Sequence, residues 1–180
     1  MNHTIKALTL CFLAFSFFGY ANEGSQHNLY ENKLLISLPS ELKSLSSKAI
    51  NKRYGKQKVP PNYAFSTKDK SVSFTFTQYP TPADKSNMKK IHQSVSAMLR
   101  ASEPDAKWKK DKVYTRLNTR VGVYEYETKG MGKYQYKITY LLPIDGKLTF
   151  ISFTTTNIKY KSKWVAHARE SFENIVLAES

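Results

Sequence analysis

Lys133–Thr155 reads KYQYKITYLLPIDGKLTFISFTT. Apolar and polar residues alternate on both sides of Asp145-Gly146. Asp-Gly favours a two-residue β-hairpin turn, because glycine takes a positive φ without a Cβ clash. With that pair as the loop, Ile144 faces Lys147, Leu142 faces Thr149, Tyr140 faces Ile151, Ile138 faces Phe153 and Tyr136 faces Thr155. On the other side Lys137 meets Thr154, Thr139 meets Ser152 and Leu141 meets Phe150. If Lys129–Gly132 is the loop of the preceding hairpin, Val121 faces Tyr140 and Val123 faces Ile138. Two turns chosen independently thus gather Val121, Val123, Ile138, Tyr140, Ile151 and Phe153 on one buried face. A slip of one residue would expose all of them, so the agreement fixes the faces. Tyr124, Tyr126 and Lys137 fall on the reverse face, with Arg120 nearby. That mixed aromatic and basic side is expected to be a solvated or docking face.

The flanking segments extend the same pattern. DKVYTRLN and TRVGVYEYETKG precede the stretch as further antiparallel strands. YAFST and SVSFTFTQY form another hairpin, with Lys68–Lys70 as its turn. In the second run Val72, Phe74 and Phe76 point one way while Ser71, Ser73, Thr75 and Thr77 point the other. KLLISLP, Lys33–Pro39, reads as an earlier strand closed by proline. Three helices are expected. One follows a Ser40 cap through ELKSLSSKAINKRYG to a stop at Gly55. A second opens at Thr81, Pro82 and Asp84, carries the stripe Met88, Ile91, Val95, Met98 and Leu99, and ends before Pro104. The last spans roughly 161–174 and buries Trp164, Ala168 and Phe172, with Ile175 beyond it. Strands in antiparallel blocks with helices between them specify an α+β fold, a mostly antiparallel sheet flanked by helices.

The N-terminus reads as an export signal. Lys6 supplies the charge, ALTLCFLAFSFF a short apolar run, and Gly19 and Ala21 the small residues before a cut after Ala21. The expected organisation is a cleavable signal over 1–21, a flexible leader over 22–32 and one domain over 33–180, periplasmic or secreted, with no transmembrane segment after cleavage. Cys11, the only cysteine, leaves with the signal. The mature chain then has no thiol nucleophile, disulfide or thiolate metal site.

The chain has 28 basic and 14 acidic residues, a formal net charge of +14. Such a balance predicts attraction to anionic partners. An exported chain meets acidic proteins, lipid headgroups and polysaccharide rather than nucleic acid. The basic residues concentrate between Leu42 and Thr67, where Lys43, Lys48, Lys52, Arg53, Lys56 and Lys58 occur with no acid. Lys48 and Lys52, four apart, share a helix face. A second group, Lys107, Lys109, Lys110 and Lys112, is diluted by Asp105 and Asp111.

No motif carries catalytic chemistry. His27, His92 and His167 are far apart and form no metal-ligand spacing. The Gly-x-Gly of KGMGK sits in a predicted hairpin loop, not ahead of a helix N-terminus where a phosphate would bind. No metal and no cofactor is expected. Glu125 and Glu127 share a strand face and, with His167, are the residues an envelope hydrolase would use.

LLISLP, YAFSTKDKSVSFTFT, EPDAKWKKDKV, RVGVYEYET, the PIDGKLTFISF hairpin and the closing KSKWVAHARESFENIVL with Trp164 together resemble the PsbP/DcrB-like superfamily. The similarity spans most of 33–177 and is sharpest in the hairpin and the last helix. It implies a sandwich of antiparallel sheet and helices, and a binding or assembly protein rather than an enzyme. The lipid anchor of DcrB-like proteins is missing. The export signal also separates this chain from cytoplasmic relatives that chaperone secretion effectors. The expected function is a non-enzymatic periplasmic protein that docks an acidic protein partner, such as an immunity protein against a secreted toxin. The expected contact residues are Lys48, Lys52, Arg53, Lys56, Lys58, Tyr124, Tyr126 and Lys137. The alternatives are the hydrolase and a binder of anionic lipid or polysaccharide.

Overall fold

The computed structural model describes residues 24–129 and 132–178, so the expected export signal with Cys11 lies outside the described residues. Seven strands form one antiparallel sheet in the order β3-β4-β5-β9-β8-β7-β6. These are β3 (Lys43–Ser44), β4 (Tyr63–Ser66), β5 (Val72–Pro82), β6 (Lys107–Arg116), β7 (Thr119–Thr128), β8 (Gln135–Ile144) and β9 (Lys147–Thr155). A smaller sheet in the order β1-β2-β10 joins β1 (Gly24–Leu29), β2 (Leu34–Pro39) and β10 (Val176–Leu177). The helices are α1 (Ser47–Tyr54), α2 (Met88–Ser102) and α3 (Lys161–Glu173). This is the expected α+β architecture.

The β8–β9 hairpin has the predicted register throughout, from Ile144 opposite Lys147 to Tyr136 opposite Thr155. Asp145 and Gly146 take φ of 53° and 69°, the left-handed pair such a turn requires. The β7–β8 hairpin is offset by two residues from the predicted register: Val123 faces Tyr140 and Glu125 faces Ile138. A shift of two preserves the faces, so the predicted apolar patch survives. Val121, Val123, Ile138, Ile151 and Phe153 are buried, with Tyr140 packed against them. β5 extends this face through Phe74 opposite Phe153 and Phe76 opposite Ile151. α3 and the small sheet close over it. Phe172 of α3 lies between Phe74, at 5.5 Å, and Tyr140, stacked at 4.1 Å.

The opposite face of the large sheet is also covered. α2 packs across it and, with Trp108 and Leu148, encloses Tyr124, Tyr126, Met88 and Leu141 in a second core. The contact face expected at Tyr124 and Tyr126 is therefore an interior, with 0 % and 3 % of these tyrosines exposed. An aromatic ring buries 150–250 Å², and α2 has an apolar stripe to bury. The two surfaces meet each other instead of solvent.

Three boundaries differ from expectation. The supposed flexible leader contains β1, which pairs with β2 from Gly24 opposite Pro39 to Leu29 opposite Leu34. Its anchor is Leu29 in the main core. The first helix starts at a Ser46 cap, whose Oγ accepts from the Ala49 amide at 3.3 Å, not at Ser40. Between those serines Leu42 is buried and Lys43–Ser44 pairs with β4. The second helix starts at Met88, because β5 runs on to Pro82 and Asp84 instead closes a turn by accepting from the Ser86 and Asn87 amides.

Candidate functional site

α1 and its following loop form the expected basic segment. Ile50 pins the helix to the domain. With one inward anchor, the other positions are free to face water. Lys52 and Arg53 lie in the last turn, where the helix dipole favours cations. Lys48, Lys52, Lys56 and Lys58 are exposed, and among the described residues no carboxylate pairs with any of them. Arg53 is exposed but tied down, donating to Ser66 Oγ at 3.0 Å. The acids are engaged elsewhere: Glu41 pairs with Lys163, Glu103 with Lys137, and Asp111 with Arg100.

The rest of the predicted contact set is not part of this surface. α1 joins β3 to β4 at one edge of the large sheet, whereas Tyr124, Tyr126 and Lys137 belong to β7 and β8 near the other. Lys137 Nζ is 3.1 Å from Glu103 and 5.7 Å from the Tyr126 ring. It seals the end of the second core. Burial, with the Glu103 charge adding to it, pushes the Tyr126 hydroxyl up to about 12.

Glu125, one of the acids a hydrolase would use, is the most enclosed carboxylate described, 1 % exposed. Tyr136 donates its hydroxyl to Oε1, Arg169 of α3 binds the same oxygen, and Lys110 of β6 stands 3.5 Å from Oε2. Burial alone would raise its pKa. The hydrogen bonds from Tyr136 and Arg169, with the charges of Arg169 and Lys110, outweigh that and hold it below the usual carboxylate range. Glu127, next on the same face, pairs with Lys161 at 3.2 Å. His167 does not join them. It sits two residues from Arg169 on α3, a spacing that turns side chains apart. His167 instead lines a cleft of about 150 Å³ with Ser37, Pro39 and Ser171. The groups a hydrolase would need are thus not assembled around one cleft, and both carboxylates are committed to cations.

A second polar cluster was not foreseen. His92 is 8 % exposed, stacked on Tyr124 at 4.7 Å and pressed against Gly122, where a Cβ would meet its Cδ2 at 2.9 Å. Its Nε2 is 3.2 Å from Asp111 Oδ1, close enough for an ion pair but not aligned as a hydrogen bond. Burial lowers the His92 pKa against the opposing pull of Asp111. Ser96 Oγ donates to Asp111 at 2.6 Å, not to His92. The serine–histidine contact that activates a nucleophile is absent from this cluster. Spacing in sequence gave no hint of it, because Asp111 comes from a strand and the other two from α2. Among the described residues no group of His, Cys, Asp or Glu is placed to hold a metal ion, and no helix is long and apolar enough to cross a membrane.

No family model and no curated protein matches the chain. Solved structures do match. The cyanobacterial PsbP protein CyanoP from Synechocystis superposes with a TM-score of 0.62 at 9 % identity, over 95 % of this chain and 99 % of that one. LpqN of Mycobacterium tuberculosis, described as involved in cell envelope biogenesis, gives 0.47 at 12 % identity, over 89 % and 88 %. Protein PA94 of Pseudomonas aeruginosa gives 0.46 at 12 % identity, over 87 % and 99 %. The CyanoP superposition shows that this chain has the PsbP-like fold. Identity this low carries the fold alone.

Proposed function

We propose that this protein is a non-catalytic binding protein of the cell envelope, which docks an acidic protein partner through α1 and the loop after it. One observation carries the reading: Lys48, Lys52, Lys56 and Lys58 stand exposed in a segment without acids and, among the described residues, free of ion pairs. Charges held apart from counter-charges project a field that concentrates an anionic partner and speeds its encounter. The N-terminal sequence, read as an export signal, supports an encounter in the periplasm or outside the cell. An immunity protein that neutralises a secreted toxin is a specific form of this function, since such a protein works by covering an enzyme and needs no chemistry of its own. Arg53, held by Ser66, shapes the segment's base and contributes its charge in a fixed position.

The test is affinity capture from an envelope extract at low salt, using wild type and a Lys48→Glu/Lys52→Glu/Lys56→Glu/Lys58→Glu variant. An acidic protein retained by the wild type and lost from the variant supports the reading. Equal retention by both overturns the assignment to α1. Vesicles of anionic lipid form a separate arm: binding to them, with no protein retained, replaces the protein partner with a membrane surface.

A further inference from the structure

β6 ends the large sheet, and its ten residues expose a full row of main-chain donors and acceptors on the outer side. The opposite end is closed by the two-residue β3, too short to template anything. β6 therefore presents the long open edge of this sheet. Five of its residues are basic, Lys107, Lys109, Lys110, Lys112 and Arg116, and one is acidic.

The two faces of this edge differ. On the α3 side lie Lys107, Lys110 and Lys112, opposite Glu127, Glu125 and Val123 of β7. Arg116 follows on that side, its guanidinium bound to the Phe172 carbonyl at 3.0 Å and to that of Glu173. On the α2 side lie Trp108, Asp111, Val113 and Thr115. Asp111 is neutralised there by Arg100, 2.6 Å away, and Trp108 packs on Tyr126 at 4.5 Å. Lys109 is the extra residue at an irregularity between Trp108 and Lys110. One margin thus carries Lys107, Lys110, Lys112 and Arg116, interrupted by the exposed Tyr114 between the last two, and the other is largely uncharged.

We infer that β6 is a strand-addition site for an extended acidic segment, one with carboxylates at alternate positions and β-branched or aromatic residues between them. Edge pairing supplies main-chain hydrogen bonds, and the alternating side chains select the partner. Charge decides which strand is accepted. A second copy of β6 would bring lysines against lysines, and like charges across a strand pair destabilise it. Edge lysines ordinarily keep sheets from joining indiscriminately. Here the same lysines leave an acidic strand as the compatible partner. The inference rests on the proposed function for the acidity of the partner, but it uses the edge farthest from α1.

An end-blocked ten-residue peptide alternating Glu and Val serves as the probe. In an extended strand the amides of alternate residues point to opposite edges. N-methylation of all Glu residues blocks one edge, and N-methylation of all Val residues blocks the other. Isothermal titration against the full chain should show that one methylated set weakens binding about tenfold or more while the other changes it about twofold at most. The unmodified peptide should slow amide exchange within Lys107–Arg116. Lys107→Glu/Lys112→Glu should weaken it, and Lys52→Glu/Lys56→Glu should not. Equal effects of the two methylated sets, whether both weaken binding or neither does, would mean that no single peptide edge is paired and overturn the inference, as does the absence of binding at low salt. Loss of binding in the α1 variant alone also overturns it, while leaving the proposed function standing.

Discussion

Arg169→Met should destabilise the protein more than Glu125→Gln, although the two residues are partners. Glu125 is 1 % exposed and the Arg169 side chain 48 %. Removing the arginine strands a carboxylate that cannot reach water. Removing the carboxylate frees an arginine that can. Breaking a fully buried pair costs about 3–5 kcal/mol. Here the Tyr136 hydroxyl and Lys110 remain, and half of Arg169 is already in solvent, so the expected loss is about 2–3 kcal/mol. Glu125→Gln keeps an acceptor for Tyr136 and should lose about 1 kcal/mol. Urea unfolding followed through Trp108 and Trp164 measures both. The pH dependence gives a second check. The folded-state pKa of Glu125 lies below its ordinary value of 4.5. Its stabilisation is therefore present above that value and lost as pH falls through the folded pKa. Without Arg169 the burial contribution gains weight and the folded pKa rises. The gap between Arg169→Met and wild type should then narrow between pH 7 and pH 4. If Glu125→Gln proves as costly as Arg169→Met, or the gap does not change with pH, the buried-acid reasoning fails.

Three further outcomes follow from packing and charge. Phe172→Ala removes a fully buried ring held between Phe74 and Tyr140 and should cost about 3–5 kcal/mol in the same urea assay. Gly122→Ala drives a Cβ to 2.9 Å from His92 and should cost about 1–3 kcal/mol; a cycle with His92→Ala should recover most of that loss, and strict additivity would show the clash lies elsewhere. Reversing Lys48, Lys52, Lys56 and Lys58 to Glu should shift stability by about 0.5 kcal/mol or less for each residue, since all four are exposed; a much larger loss by denaturation would mark them as structural.

Local signals were sufficient where partners are neighbours in sequence. Asp145-Gly146 set the β8–β9 register, and period-two alternation set the inward residues of β5, β7 and β9. The β7–β8 offset did no damage, because a shift of two residues keeps each side chain on its face. Long-range placement was not contained in such patterns. GSQHNL has little strand character, and it becomes β1 only by pairing with β2 and seating Leu29 in the core. Tyr124 and Tyr126 alternate as an outward face would. Whether that face is open depends on where α2 lands, and its stripe, apart from the exposed Met98, packs over these rings. Glu125 reads as a surface acid because its partners come from β6, β8 and α3. Lys48 and Lys52 of α1, with Lys56 and Lys58 of its following loop, are exposed, since a helix with one apolar anchor leaves its other positions to solvent.

The central claim is that the charge on α1 and its loop holds an acidic partner. Its most direct measurement is the dissociation constant of the acidic protein captured by the wild type, determined at low and at physiological salt for both the wild type and the fourfold charge-reversed variant. The account predicts wild-type binding that weakens as salt rises and a variant whose binding is lost at either salt. Binding that is equal for the two proteins, or indifferent to salt, would contradict it.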